Sequence, residues 1–214
     1  MKKENTAPAV VWDLDGTILD SYPMIVAALA RYYAGEGLKI PEGEILERIL
    51  RSSVQTFAEE VERETGVSLS AGIDRYQAVR TALEERMEPV PGAAETLQGL
   101  RERGVRCFVL THRGHSSFTH LGRMGLRGFF EEIVTAREGF ARKPDPEGLC
   151  YLIEKHCLDP DRTWYVGDRA LDVDCAVAAG VRSVLYCPEG SPVPATGRED
   201  FVIRSLPELL TLPL

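Results

Sequence analysis

Hydrophobic and polar positions follow two different patterns along the chain. From residue 89 onwards, short apolar runs alternate with longer stretches whose apolar positions recur at helical spacing. Such alternation is typical of successive strand and helix units. Between residues 22 and 88 the helical spacing continues, while strand-like runs are almost absent. One isolated apolar run, at residues 9–12, precedes this region. The pattern predicts an α/β core interrupted by an inserted helical block.

Strands and helices of the core are predicted to alternate. The predicted strands span residues 9–12, 105–111, 132–135, 162–166, 182–186 and 201–204, and the predicted helices span 92–103, 116–124, 145–157 and 171–179, with a closing helix begun by Ser205 and Pro207. Alternating units of this kind require a parallel sheet with crossover helices. We therefore expect residues 1–20 and 89–214 to form the core and residues 21–88 to form a helical cap.

Composition narrows the class of protein. The chain has 214 residues, of which 44% are hydrophobic and 27% charged, as in an ordinary globular protein. Its net charge of −8 argues against nucleic acid or an anionic membrane as a partner. The first ten residues lack the apolar run of a secretory signal, and no stretch resembles a membrane span. Five cysteines without a C-x-x-C pair favour reduced thiols, so a cytoplasmic location is expected.

Two carboxylates follow the first predicted strand. Asp13 and Asp15 come directly after the apolar run, and Gly16 breaks the pattern as a turn does. The carboxyl edge of a parallel sheet is where ligands bind in α/β proteins. Close carboxylates repel each other unless a cation, a proton or hydrogen-bond donors compensate them. The pair indicates chemistry, although an Asx turn opened by Asp15 explains the same residues.

Three further strand or helix boundaries carry polar groups. Thr111 ends the second predicted strand, Lys143 precedes a predicted helix, and Asp168 and Asp172 lie where another strand passes into a helix. A hydroxyl and a lysine suit phosphoryl oxygens, and carboxylates four apart on a helix can approach one cation. Each residue alone has a simpler explanation as a helix cap or a solvated side chain. Together, on the edge of one sheet, they favour a phosphate site.

Four segments resemble, in order and spacing, the motifs of the haloacid dehalogenase-like hydrolase superfamily. They are DLDGT at 13–17, LTHRG at 110–114, KPDPE at 143–147 and GDRALDVDCAVAAG at 167–180. The helical block falls where the phosphoglycolate phosphatase and β-phosphoglucomutase-like branch carries its cap. The resemblance implies a Rossmann-like core with an inserted helical cap that closes over the site. One position departs from the pattern, because His112 stands where Asn is usual.

The resemblance also implies roles for individual residues. Asp13 would be the nucleophile that accepts the phosphoryl group, and Asp15 the acid and base that serves the leaving alcohol and then the attacking water. Lys143 and Thr111 would hold phosphoryl oxygens.

A magnesium ion is implied by the same resemblance. Its ligands would be Asp13, the backbone carbonyl of Asp15 and Asp168, with Asp172 acting through water or in the outer shell. Candidate substrate contacts are Gly16, Thr17, His112 and Arg113 in the core and Arg48, Arg51, Ser52 and Ser53 in the helical block.

The expected function is that of a Mg²⁺-dependent phosphatase for a small phosphorylated metabolite, such as phosphoglycolate or a sugar phosphate, in a monomer or homodimer. A sugar phosphomutase and a non-catalytic binding module on the same fold are the alternatives. A dehalogenase is disfavoured because carbon–halogen displacement does not need Asp15. A phosphonatase would need an amine in the helical block to form a Schiff base. It is disfavoured because the only lysine there, Lys39, lies in a loop bounded by glycine and proline.

Overall fold

The computed structural model describes residues 7–214. The expectation that the chain has no secretory signal concerns its first ten residues, and residues 1–6 of these lie outside the described residues. The chain divides into two compact units, one formed by the segment up to Leu19 together with Pro89–Leu214, and the other by Asp20–Glu88. Within the described residues, no helix has both the length and the apolarity needed to cross a membrane.

The first unit is built on a six-stranded parallel sheet, which confirms the predicted α/β class. Its strands are β1 (Ala9–Trp12), β2 (Arg106–Leu110), β3 (Glu132–Val134), β4 (Thr163–Gly167), β5 (Arg182–Tyr186) and β6 (Phe201–Ile203). They lie in the order β3-β2-β1-β4-β5-β6. All four residues of β1 are buried, as expected of a central strand flanked on both sides by parallel neighbours.

The register of the sheet brings three strand ends together. Trp12, the last residue of β1, pairs with Val109 of β2 and Val166 of β4. The N–H of Asp13 continues the ladder by donating to the Val166 carbonyl at 2.8 Å. Residues that follow β1, β2 and β4 therefore lie side by side at the carboxyl edge.

Helices connect the strands of this unit. They are α5 (Ala93–Glu102), α6 (Ser116–Arg123), α7 (Glu147–His156) and α8 (Ala170–Ala179). The closing helix predicted at Ser205 and Pro207 is a 3₁₀ helix, Leu206–Thr211, whose Leu206 and Leu209 are buried. Residues 188–200 form neither helix nor strand.

The second unit contains four α-helices. They are α1 (Tyr22–Gly35), α2 (Glu42–Arg51), α3 (Val54–Thr65) and α4 (Ile73–Glu84). Their buried residues form a core of their own, with Tyr33 and Phe57 meeting edge to face at 5.9 Å. Arg48 of α2 lies over the Phe57 ring.

Candidate active site

Lys143 and Asp13 form the centre of the site. The Lys143 ammonium donates to Asp13 Oδ1 at 2.5 Å and to Asp172 Oδ1 at 2.6 Å. Lys143 comes from the loop before α7, Asp13 follows β1 and Asp172 lies in the first turn of α8. Both side chains of the Lys143–Asp13 pair are almost completely buried. Segments distant in sequence thus meet at the edge where the strand ends converge.

Burial and charge act on these groups in opposite directions. Burial raises the pKa of Asp13 from 3.8 to about 6, although Lys143 opposes that rise. For Lys143, burial favours the neutral amine, but the nearby charges of Asp13 and Asp172 prevail and raise its pKa above the usual value. The lysine is therefore a cation held among acids.

Three carboxylates offer oxygen atoms to one point. Asp13, Asp168 and Asp172 are all buried, and one carboxylate oxygen of each lies within 4.8 Å of the others. Oδ2 of Asp13 makes no hydrogen bond with any described residue. A buried carboxylate oxygen without a donor is costly unless something else compensates its charge. This donor set fits a hard divalent cation such as Mg²⁺.

Asp168 and Asp172 are placed by the passage from β4 into α8. Asp172 Oδ2 accepts the N–H of Arg169 at 3.1 Å, which caps the helix, while its other oxygen accepts from Lys143. Gly167 permits this approach, because a Cβ there would lie 2.4 Å from the Asp172 side chain. Asp168 Oδ1 accepts from the Thr17 hydroxyl at 3.4 Å. Asp172 thus supports Lys143 directly.

Asp15 is turned towards Arg113. Nη2 of Arg113 donates to Oδ1 of Asp15 at 2.6 Å, and Nε donates to Oδ1 at 3.0 Å and to Oδ2 at 3.2 Å. The Asp15 carboxylate is not one of the three acids clustered around the candidate metal position. Gly16 makes the turn after it, with a φ of +83° that favours glycine.

The loop after β2 brings two further predicted residues to the site. Thr111 is 2% exposed, and its Oγ1 accepts the N–H of Arg113 at 3.0 Å. Because Oγ1 acts as an acceptor in this contact, the Thr111 hydroxyl can still donate its proton to another group. His112 Nε2 accepts the backbone N–H of Lys143 at 2.8 Å. His112 therefore ties the loop after β2 to the loop that carries Lys143.

The predicted residues of the helical block lie in the second unit, around the junction of α2 and α3. Arg48 pairs with Glu44, Glu60 and Glu64. Ser52 donates to the Arg48 carbonyl, and Ser53 caps α3 by accepting the Thr56 N–H.

The other two basic residues singled out in this block, Arg51 and Lys39, are exposed. A substrate contact by Arg51, Ser52 or Ser53 stays a prediction. The contacts of Arg48 are those of a residue that joins two helices.

Sequence reasoning missed two side chains. Tyr165 of β4 is 1% exposed, and its hydroxyl accepts from the Lys143 ammonium at 3.0 Å. Its position inside an apolar strand gave no signal, because a tyrosine there is usual in a core. Arg142 lines a cavity of about 230 Å³ together with Thr111, His112 and Lys143. Its only signal was adjacency to Lys143.

The fold and the site define a class of protein: α/β enzymes with a buried carboxylate and lysine centre at the carboxyl edge of a parallel sheet. The family profile described as haloacid dehalogenase-like hydrolase matches residues 10–186, and the chain belongs to this family.

Comparison with known proteins supports the assignment. The chain is 30% identical over 221 residues to phosphoglycolate phosphatase 1 of Pseudomonas aeruginosa, covering 94% of this chain and 78% of that protein. It is 29% identical over 220 residues to pyrophosphatase PpaX of Bacillus pumilus, covering 98% and 97%. A solved subfamily IA hydrolase of the same superfamily from Geobacter sulfurreducens is 26% identical with a TM-score of 0.74, covering 96% and 99%. The predicted family and the predicted enzyme class, a phosphatase, are confirmed.

Proposed function

We propose that this chain is a Mg²⁺-dependent phosphatase that hydrolyses a small phosphorylated metabolite through a phosphorylated Asp13. One observation carries the proposal. The buried Asp13 carboxylate has one oxygen held by Lys143 and the other without a hydrogen-bond partner among residues 7–214. An oriented carboxylate with one available oxygen suits nucleophilic attack on phosphorus.

The reaction divides into two displacements. In the first, Asp13 attacks the phosphorus, and Asp15 gives a proton to the departing oxygen. In the second, Asp15 takes a proton from a water molecule that attacks the phosphorylated Asp13 and releases phosphate. A carboxylate nucleophile splits one difficult step into two easier ones, and a positioned acid or base typically contributes about 10²- to 10⁴-fold.

Charge is the main barrier, because an anionic carboxylate must approach an anionic phosphate. Asp13, the backbone carbonyl of Asp15 and Asp168 would hold Mg²⁺, with Asp172 contributing through water. When bound, the ion would supply positive charge that offsets this repulsion. Lys143 would hold a phosphoryl oxygen, and the Thr111 hydroxyl would donate to another. The backbone around Gly16 and Thr17 completes the proposed phosphate contacts.

The named relatives suggest the substrates to try first. These relatives are a phosphoglycolate phosphatase and a pyrophosphatase, so the screen should include phosphoglycolate and inorganic pyrophosphate as well as sugar phosphates. Phosphoglycolate and pyrophosphate both carry an additional anionic group near the reacting phosphate. His112, Arg51 and Ser52 are the proposed substrate contacts outside the phosphate position.

The test is a screen of phosphorylated metabolites for phosphate release, with Mg²⁺ and with chelator. We expect activity only with the metal and none with Asp13→Asn, because the amide cannot attack phosphorus. Asp174→Asn is the matched control, since Asp174 lies on α8 and pairs with Arg198 at 2.6 Å. Phosphate release by Asp13→Asn, once deamidation is excluded, would overturn the proposal. Isomerisation of a sugar 1-phosphate without phosphate release would indicate a phosphomutase instead.

A further inference from the structure

We propose that Arg113 is a positioning residue that holds the Asp15 carboxylate in the orientation needed for proton transfer. The Arg113 side chain is 1% exposed and that of Asp15 is 22% exposed. Three N–H···O contacts of 2.6, 3.0 and 3.2 Å join the two groups. A planar guanidinium that donates from two nitrogens fixes the plane of a carboxylate as well as its position.

The backbone of Arg113 is anchored on both sides. Its N–H donates to Thr111 Oγ1 at 3.0 Å, and its carbonyl accepts the N–H of Ala136 at 3.1 Å. Thr111 in turn donates its own N–H to the Val134 carbonyl at 2.9 Å, which extends the ladder between β2 and β3. The guanidinium therefore extends from a firmly held loop. The loop after β2 controls the direction in which Asp15 points.

A substrate contact by Arg113 stays a prediction, and the guanidinium donates to Asp15 in this structure. A guanidinium that turned towards a substrate phosphate would give up three short contacts with Asp15. It would also give up a charge-assisted pair with Asp15, whose side chain is 22% exposed. The geometry favours support of Asp15 over direct binding of substrate.

The inference rests on the proposed function, in which Asp15 transfers a proton in each step. In the first step, which Asp15 must enter in its protonated form, a bond forms between an Asp13 oxygen and phosphorus, the ester P–O bond breaks, and the proton moves from Asp15 to the departing oxygen. Asp15 is left as the carboxylate that Arg113 holds, ready to accept a proton. In the second step a water oxygen bonds to phosphorus, its proton moves to Asp15, and the bond from Asp13 breaks. A misaligned Asp15 slows the departure of a basic alkoxide but not that of an oxyanion that is stable without a proton.

Leaving-group dependence supplies the test. Arg113→Gln and Arg113→Lys are compared with the wild type on an alkyl phosphate and on 4-nitrophenyl phosphate. For Arg113→Gln we expect kcat/KM to fall about 10²- to 10⁴-fold on the alkyl ester and at most about tenfold on the aryl ester. The aryl ester should also give a burst of 4-nitrophenolate followed by slow turnover, because hydrolysis of the phosphorylated enzyme still needs Asp15. Arg113→Lys should recover part of the loss.

Controls separate positioning from folding and from phosphate binding. Arg106→Gln removes another arginine–carboxylate pair, with Glu131 at 2.6 Å, at the start of β2 and away from the site, and should leave both rates unchanged. Thermal unfolding of each variant establishes that it is folded. The inhibition constant of inorganic phosphate should not change in Arg113→Gln.

Two results would overturn the inference: equal losses on both esters without a burst, or weaker inhibition by phosphate in Arg113→Gln. Inactivity of the wild type on every phosphate ester would instead contradict the proposed function. The two failures are therefore distinguishable.

Discussion

His112 accepts a hydrogen bond from the backbone of Lys143 through Nε2. Burial, followed by the nearby charge of Lys143, lowers the pKa of His112 from 6.5 to about 3. The imidazole is therefore neutral at ordinary pH, with its proton on Nδ1 and its acceptor lone pair directed at the Lys143 amide. An asparagine oxygen is also an acceptor, which explains how His can stand where the resembled motif usually has Asn.

The hydrogen bond from the Lys143 N–H to His112 can be tested by substitution. His112→Ala should lower kcat about tenfold, because loss of one buried hydrogen bond of about 1.4 kcal/mol lets the Lys143 loop shift. His112→Asn should retain most of the activity. Steady-state kinetics across pH checks both, and the acid limb of the profile should be the same in the wild type and His112→Asn. If His112→Ala and His112→Asn lowered kcat equally, the hydrogen-bond acceptor at position 112 would not explain the loss of activity.

At the scale of elements, the passage from β4 into α8 sets the geometry of the acid cluster. Gly167 ends the strand, and Asp172 lies in the first turn of the helix directly above it. The helix can begin this close to the strand only because residue 167 has no side chain. The position of the acids is thus a consequence of backbone packing between two neighbouring elements.

Gly167→Ala tests this packing. The added methyl would lie 2.4 Å from Asp172, so we expect a loss of about 1–3 kcal/mol in the free energy of unfolding and a strong loss of activity. Gly122→Ala is the control, since a Cβ there has no neighbour within 4 Å. Gly122 lies in the last turn of α6 and does not have a positive φ, so alanine there should stabilise by about 0.4–1 kcal/mol. Denaturant unfolding measures both, and wild-type stability in Gly167→Ala would contradict the packing argument.

Elements with strong periodicity were predictable from the sequence. All six strands were expected near their observed positions, because apolar runs bounded by turn residues leave few alternatives. The apolar spacing of residues 22–88 does not mark helix α3 separately, although Ser53 and Thr56 at its start form a recognisable capping pair. Ser53 is instead a predicted substrate contact. The closing segment is 3₁₀ and not α-helical, a difference of hydrogen-bond register that side-chain patterns over six residues do not encode.

The candidate site was predictable only where several residues of one motif indicated it. Lys143 and Asp13 come from two of the four resembled motifs, and they meet in the structure. The pairing of Arg113 with Asp15 joins loops 98 positions apart, and local pattern contains no information on such a contact. The same is true of the Tyr165 hydroxyl, whose partner Lys143 lies 22 positions away in the chain.

At the scale of the whole molecule, burial of the Asp13 carboxylate makes the stability of the fold depend on pH. The pKa of Asp13 is about 6 in the folded chain, above its ordinary value of 3.8. Its contribution to stability is therefore fully present below about pH 4 and is lost as pH rises through about 6. A bound cation favours the ionised carboxylate and reverses this loss.

Mg²⁺ should consequently stabilise the protein in a pH-dependent manner. We expect the rise in Tm on adding Mg²⁺ to be larger at about pH 7.5 than at about pH 5, because Asp13 must ionise to bind the ion. Asp13→Asn should show a small shift that varies little with pH. Calorimetry with Mg²⁺ and with chelator measures the effect. A shift of equal size at both pH values in the wild type would contradict the assignment of Asp13 as a ligand.

The chain leaves and re-enters the α/β unit at neighbouring points. Leu19 and Pro89 form an antiparallel bridge, and one residue further along, the N–H of Asp20 donates to the Glu88 carbonyl at 3.1 Å. The two ends of the insertion therefore lie as close together as the two strands of a hairpin. An insertion of 69 residues is joined to the sheet at the same short distance as a tight turn would be. Any inserted segment whose two ends lie this close together could be connected to Leu19 and Pro89 in the same way. A change confined to this one continuous segment therefore leaves Asp13, Lys143 and the acids of α8 encoded on either side of it.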